Sequence, residues 1–329
     1  MTVVTWPEIV LLAYEEKRPF LRLVRVTQGL VEPAPVSLDR ASAAIDECLP
    51  REGWLACAAH DEIWGIPSSF KDPAFRVGRS WGLAPGDHPR TLWLAPEGGY
   101  NGRPSRFIEY DGVARAARRA VELEPGLGLA AAVRQGLVVA PVETGVLYLH
   151  SWTDERRTKL VVGNAVLAQH RDLLAVEVDH RELVIFDVER RTSLPVPRPS
   201  GSRWGMFSSF SPDGKLLAIA VEPDRSLSVE EALAAAAAAI TTEEPYEREP
   251  TRLALIDTTT GEVRLATRDF DNFATTPIWS PDGASAFFAA PFEDALWRCD
   301  VTTPEPTLER LHLEGHAPSP LADVTSLVA

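Results

Sequence analysis

The sequence predicts an all-β fold, a seven-bladed β-propeller of four-stranded antiparallel blades. Three observations predict it. Two segments share a strand–turn–strand plan built on Ser-Pro-Asp-Gly. Strand signals recur along the chain at intervals of about 36–44 residues, the period of a propeller blade. A hydrophobic fraction of 45% supplies a sizeable core.

The two hairpins are Phe210-Ser211-Pro212-Asp213-Gly214 before Lys215–Ala220, and Trp279-Ser280-Pro281-Asp282-Gly283 before Ala284–Ala289. Proline presets φ at the first central turn position, aspartate tolerates the second, and glycine takes the positive φ that follows. Each hairpin supplies the first two strands, A and B, of a blade. Leu253–Gly261 with Glu262–Thr267 supply C and D for blade six, and Leu296–Val301 with Thr307–Leu313 do so for blade seven.

The plan recurs upstream in weaker form. Blade five is read as Asn164–Asp172, Leu173–Val178, Glu182–Val188 and Thr192–Val196, and blade four as Leu127–Gln135, Leu137–Ala140, Val146–Trp152 and Lys159–Val162. Blade three takes Ser80–Asp87, Thr91–Ala95, Arg106–Asp111 and Ala117–Leu123, and blade two Ile45–Pro50, Trp54–Ala59, Glu62–Pro67 and Ala74–Val77. Blade one is assigned Thr2–Trp6, Ile9–Tyr14, Phe20–Val26 and Leu30–Val36, with Pro318–Ala329 as a tail or an added edge strand. A four-stranded sheet alone leaves both faces uncovered, and radial stacking buries each on the next blade. Residues 1–329 are accordingly read as one domain.

The Ser-Pro-Asp-Gly hairpins resemble TolB-type and WD-like propeller repeats of bacteria. The resemblance is specific in blades six and seven and architectural in the other five; the Gly-His and Trp-Asp signatures of WD repeats are missing. It implies a fold and not a reaction, because propellers host enzymes, receptors and scaffolds alike.

Between strands B and C of blade six lies an insertion, residues 222–250. Ser228-Val229-Glu230-Glu231 is a capping-box pattern, and Ala232–Ile240 has high helix propensity. A short helix is expected, as a lid or docking element or as a plain surface excursion. In a propeller the B–C loops and the D–A connections share one face and the A–B turns lie on the other. Ser-Pro-Asp-Gly is therefore a device of the fold, and function is sought on the insertion face, where loops ride on a rigid scaffold.

That face collects the candidate ligand-binding residues Arg79, Trp81, Tyr100, Arg103, Arg203 and Trp204. Arg79-Ser80-Trp81 and Arg203-Trp204 pair a cation with an aromatic ring at blade entrances, a pattern of pocket walls or of blade-to-blade stacking. His60 and His180 occupy matching B–C turns and are the weak acid–base candidates. Short turns also favour polar residues without any chemistry. The Gly-x-Ser-x-Gly elbow and the phosphate-binding loop are both missing, and His312/His316 stand beside Gly315 and Pro318, which speaks against a helical metal pair. Neither a metal nor a cofactor is expected.

Charge bounds the partners. Lysine and arginine total 33 and aspartate and glutamate 47, a formal net charge of −14. That balance speaks against nucleic acid and anionic membranes, which need positive charge. Three cysteines, Cys48, Cys57 and Cys299, fit free thiols in a reducing compartment. With no leader pattern in Met1–Phe20, the cytoplasm is the expected location. The functional expectation is a non-enzymatic binding or scaffold propeller, holding a protein partner or small molecule at the insertion face. The alternative is a small-molecule lyase, cyclase or lactone hydrolase at the channel mouth.

Overall fold

The computed structural model describes residues 9–328, apart from 16–17, 28–29, 38–44, 60–61, 70–71, 81, 98–102, 142–144, 155, 179–181, 225–249, 267, 272–274, 291–294, 312–313 and 316–323. Six blades follow the four-stranded antiparallel plan, each laid out A-B-C-D in chain order. In the numbering used above they are blades two to seven. Their A strands are Ile45–Arg51, Leu83–Pro85, Leu127–Val133, Ala165–His170, Ser202–Phe210 and Ile278–Trp279. Blade six carries one addition, Phe270–Asp271, which pairs with the start of its C strand, Pro250–Asp257.

The expectation of seven like blades is corrected. In place of blade one stands a mixed five-stranded sheet, ordered Glu314–Gly315, Leu30–Ser37, Arg18–Thr27, Ile9–Glu15 and Val324–Val328. Glu314–Gly315 pairs parallel to Leu30–Val31. Val324–Val328 pairs antiparallel to Ile9–Glu15 and lies beside the A strand of blade two. The innermost strand of this closing sheet thus comes from the opposite end of the chain. The expected strand Thr2–Trp6 lies outside the described residues. A seam between first and last blades held only by side-chain faces lacks a backbone ladder; the shared sheet supplies one.

The Ser-Pro-Asp-Gly turns form as the residue types demand. Gly214 and Gly283 have φ of 72° and 71°. The Asp213 carboxylate accepts hydrogen bonds from the Ser211 hydroxyl (2.8 Å) and the Lys215 amide (3.1 Å), and Asp282 accepts from Ser280 (2.6 Å) and Ala284 (3.0 Å). A second device closes the C–D turns. Asp111, Asp187, Asp257 and Asp300 end their C strands, and each accepts a backbone N–H two or three residues on. Such side-chain turns replace backbone partners that the turn leaves unpaired.

The core is a set of layers between blades. Leu183, Ile185, Trp204, Leu217, Ile219 and Ile256 join blades five and six. Ala218, Leu255, Phe270, Phe288 and Trp297 join six and seven. Comparable layers join two to three, three to four and four to five. Small residues on B strands, among them Ala175, Ala218 and Ala286, let facing sheets approach, and the aromatic rings fill the remaining space.

Cys48 and Cys57 form a disulfide between the A and B strands of blade two, with Cα atoms 4.2 Å apart as directly opposed partners. Only Cys299 is a free thiol among the described residues. This corrects the reading of three free thiols and removes their support for a reducing compartment. The helix expected within 222–250 falls outside the described residues, and among the described residues there is no helix.

Candidate functional site

Two cavities meet at blade six. The larger, about 420 Å³, is the central channel, walled by the A strands of all six four-stranded blades. Its lining runs through Cys48–Pro50, Leu83–Pro85, Gln169–His170 and Phe210–Pro212. These are the ends of A strands that lead into the A–B turns, so the cavity lies toward the Ser-Pro-Asp-Gly face.

Three irregularities shape this wall. The A–B register breaks between Leu129 and Ala131 in blade four, between Val166 and Ala168 in blade five, and between Trp204 and Ser208 in blade six. The residues left out of the ladder include Ala130, Leu167 and Phe207, and all three line the cavity. A bulge re-aims a side chain that strict alternation would send elsewhere.

Polar groups in the channel are mostly committed to the fold. Gln169 clamps blade five to blade four: its amide donates to the Ala132 carbonyl and its oxygen accepts from the Ala132 N–H at 3.3 Å. Ser209 donates to the Pro277 carbonyl and accepts from the Trp279 indole at 3.0 Å. Ser211 is bound to Asp213. His170 is half-buried against Phe210, ring centroids 6.4 Å apart. Burial, and secondarily the charge of Arg171, push its pKa below 6.5, while Asp213 opposes them. The imidazole is therefore neutral at pH 7. Asp213 itself is held down to about 2, first by its hydrogen bond to the Lys215 side chain and then by the Lys215 amide and Ser211. Asp282, without a lysine after its turn, is shifted the same way by Ser280 and Ala284. The shared geometry marks both aspartates as turn-builders.

The smaller cavity, about 240 Å³, lies on the opposite face at the root of the insertion. The connection Pro199–Ser202 meets Glu222–Pro223, Pro250, Arg252 and Asp269 there. Three arginine–carboxylate pairs surround it: Arg198–Asp224 at 3.0 Å, Arg203–Glu222 at 2.8 Å, and Arg252–Asp269.

Four of the six expected ligand-binding residues fall among the described residues, spread over blades two, three and six. Arg203 stands exposed at the insertion root, bound to Glu222. Trp204, its neighbour in the strand, points to the other face and is only 4% exposed, packed between blades five and six. Its assignment as a pocket wall is corrected: alternation along a strand sends adjacent side chains to opposite faces. Arg79 is exposed at the end of a D strand, and Arg103 is exposed just before Ser105–Asp111. Trp81, Tyr100, His60 and His180 lie outside the described residues, as do His312 and His316.

Local sequence reading also missed one cluster. Arg119 lies over Trp152 (4.0 Å) and Trp93 (4.8 Å), which stack at 5.3 Å. Its guanidinium also binds the buried Glu109 at 2.9 Å, and Glu109 accepts from Thr91. The cluster bolts blade three to blade four. Its sequence signal was the phase of Arg119, which shares a strand face with the half-buried Val121 and Leu123.

Comparison with solved structures bears on the fold. A putative 6-phosphogluconolactonase from Bacteroides fragilis is similar at TM-score 0.55 and 10% identity, over 100% of this chain and 99% of that one. Hsv2 from Kluyveromyces lactis is similar at TM-score 0.51 and 11% identity, over 80% of this chain and 74% of that one. The shared fold is the β-propeller. TolB from Acinetobacter baumannii superposes on the propeller at TM-score 0.47 and 12% identity, over 93% of this chain and 61% of TolB. No protein-family model and no curated protein matches the sequence.

Proposed function

We propose that this propeller is a non-enzymatic binding or scaffold protein. It captures a protein partner or small molecule on the face of the B–C loops, at the root of the blade-six insertion. The supporting observation is the cavity between Pro199–Ser202 and the two insertion roots, with arginine–carboxylate pairs set around it. Those pairs offer both signs of charge within one patch, a surface suited to polar recognition and to orienting a partner. With a net charge of −14, the propeller is a poor ligand for nucleic acid or for an anionic membrane.

The test is a variant in which residues 225–249 are replaced by a short Gly-Ser linker. Partners crosslinked to the intact protein should be lost from the variant while its melting temperature stays within a few degrees. A folded variant that retains the same partners in the same amounts sinks the insertion-face reading.

A second reading, a lactone hydrolase at the channel mouth, is supported by the fold shared with the putative 6-phosphogluconolactonase. Among the described residues no lysine or arginine lines the central cavity to hold a phosphate group. Turnover of 6-phosphogluconolactone above the spontaneous rate would favour this reading over the first.

A further inference from the structure

We propose that the central channel holds a binding site for an uncharged, largely apolar small molecule that carries a hydrogen-bonding group. The site is separate from the insertion root and lies toward the opposite face.

The size and wall chemistry come first. A cavity of about 420 Å³ is large enough for a small organic ligand. Leu49, Leu83, Val166, Leu167, Phe207 and Ile278 give it an apolar wall beside uncharged polar residues such as Ser208 and Thr276, and among the described residues no Asp, Glu, Lys or Arg lines it. An ionised ligand would lose its hydration there and gain no counter-charge. The bulges that bring Ala130, Leu167 and Phe207 to this wall occur in three consecutive blades, so the surface is built by repeated departures from the ladder.

The second observation is independent of the wall. Ser208 lines the cavity, is 5% exposed, and its hydroxyl has no hydrogen-bond partner. Its neighbours on the same strand end are satisfied: Ser209 by Pro277 and Trp279, Ser211 by Asp213. Buried hydroxyls in native proteins are paired, and an exception calls for an explanation. A ligand donor or acceptor seated in the channel supplies the missing partner once the hydroxyl turns toward it about the Cα–Cβ bond. His170, on the adjacent A strand, lines the same cavity and presents a neutral imidazole, which both donates and accepts. The site thus offers an apolar body and two polar contacts, with no charge requirement.

A matched pair of fluorescent probes tests this. N-phenyl-1-naphthylamine is neutral; 8-anilinonaphthalene-1-sulfonate has the same skeleton with a sulfonate added. The full-length protein should bind the neutral probe saturably at one site and the sulfonate at least tenfold more weakly. Leu167→Trp, which fills the cavity from a bulge, should weaken the neutral probe more than tenfold. Ala130→Leu should act the same way to a smaller degree and serves if Leu167→Trp fails to fold. Ser208→Ala should weaken the probe about fivefold without lowering the melting temperature of the free protein, since it removes an unpaired group. Lack of saturable binding, equal binding of the sulfonate, or binding untouched by both filling variants would overturn the site. A Ser208→Ala protein that melts lower and binds as before would assign the hydroxyl to the fold instead.

Discussion

The two cavities of blade six are made by the two ends of one strand, and they follow opposite rules. At the Ser202 end, the strand meets an arginine-rich connection, and charge surrounds the pocket in compensated pairs. At the Phe210 end, the same strand meets the A strands of the other blades, and the wall is free of charge among the described residues. The difference follows from solvent. The insertion root is a rim where arginine and carboxylate keep part of their hydration. The channel is lined by the edge strands of six blades and carries no ionised side chain among the described residues, so apolar or hydrogen-bonded side chains fit there at lower cost than charged ones. Proximity in sequence therefore says little about which chemistry a propeller residue joins; its depth along the strand decides.

The largest expected effect comes from forcing charge into the uncharged end. Ser208→Asp should destabilise the protein by about 3 kcal/mol at pH 7, because the carboxylate is buried without a partner. Burial raises the new carboxyl's pKa, so the loss should shrink as pH falls and the group becomes neutral. Urea unfolding at pH 7 and pH 5 reads both; a loss that grows toward pH 5 would contradict the enclosed channel. Next is Gln169→Leu, which removes the clamp from blade five onto the Ala132 backbone. The expected cost is about 1–2 kcal/mol by denaturant unfolding, since a buried amide and carbonyl are left with fewer partners.

At the charged end the effects should be small. Arg252→Ala removes the pair with Asp269, and both side chains are nearly half exposed. A loss below about 1 kcal/mol is expected, and it should shrink further in high salt. A loss as large as that of Gln169→Leu would place this pair in an interior environment and erase the contrast between the two ends. The smallest effect belongs to His170. Its folded pKa lies below 6.5, so the folded state binds its proton less readily than the unfolded state. The stability it contributes is complete above pH 6.5 and is lost as pH falls through the folded value. Melting curves from pH 7 to pH 5 should therefore slope less steeply in His170→Gln, and parallel slopes would move the imidazole out of its half-buried place.

Local chemistry was legible in the sequence and long-range pairing was not. The Ser-Pro-Asp-Gly turns announced themselves because each residue has a steric or hydrogen-bonding reason for its position, and Gly214 and Gly283 adopt the predicted positive φ. The interval between strand signals was visible, and the structure adds the aspartates that end the C strands with their hydrogen bonds. The Cys48–Cys57 bond had a signal that went unread: both cysteines stand equally far from the Glu52–Gly53 turn, which makes them directly opposed in a hairpin. Val324–Val328 was legible as an added edge strand and not in its partner, because a short apolar strand carries no mark of which distant edge it will join. The channel site was hidden for a related reason. Ala130, Leu167 and Phe207 are ordinary apolar residues in the sequence, and only a register slip against the next strand turns them into a wall. The charged insertion root was partly legible, through the Arg203 run and the insertion itself, whereas the burial of Trp204 required knowing which face of the strand met blade five.

The closing sheet sets an order of events in biosynthesis. Ile9–Glu15 leaves the ribosome long before Val324–Val328, yet the two are hydrogen-bonded neighbours. The other six sheets are assembled from consecutive strands and can form as the chain lengthens. Ile9–Glu15 must wait, with one edge unpaired, until Val324–Val328 has been made. Such a long-range pairing is slow to form and leaves a partly built ring open to association with other chains. Nascent-chain protease protection should rise in steps through the middle blades, with Ile9–Glu15 protected only once Val324–Val328 has left the ribosome.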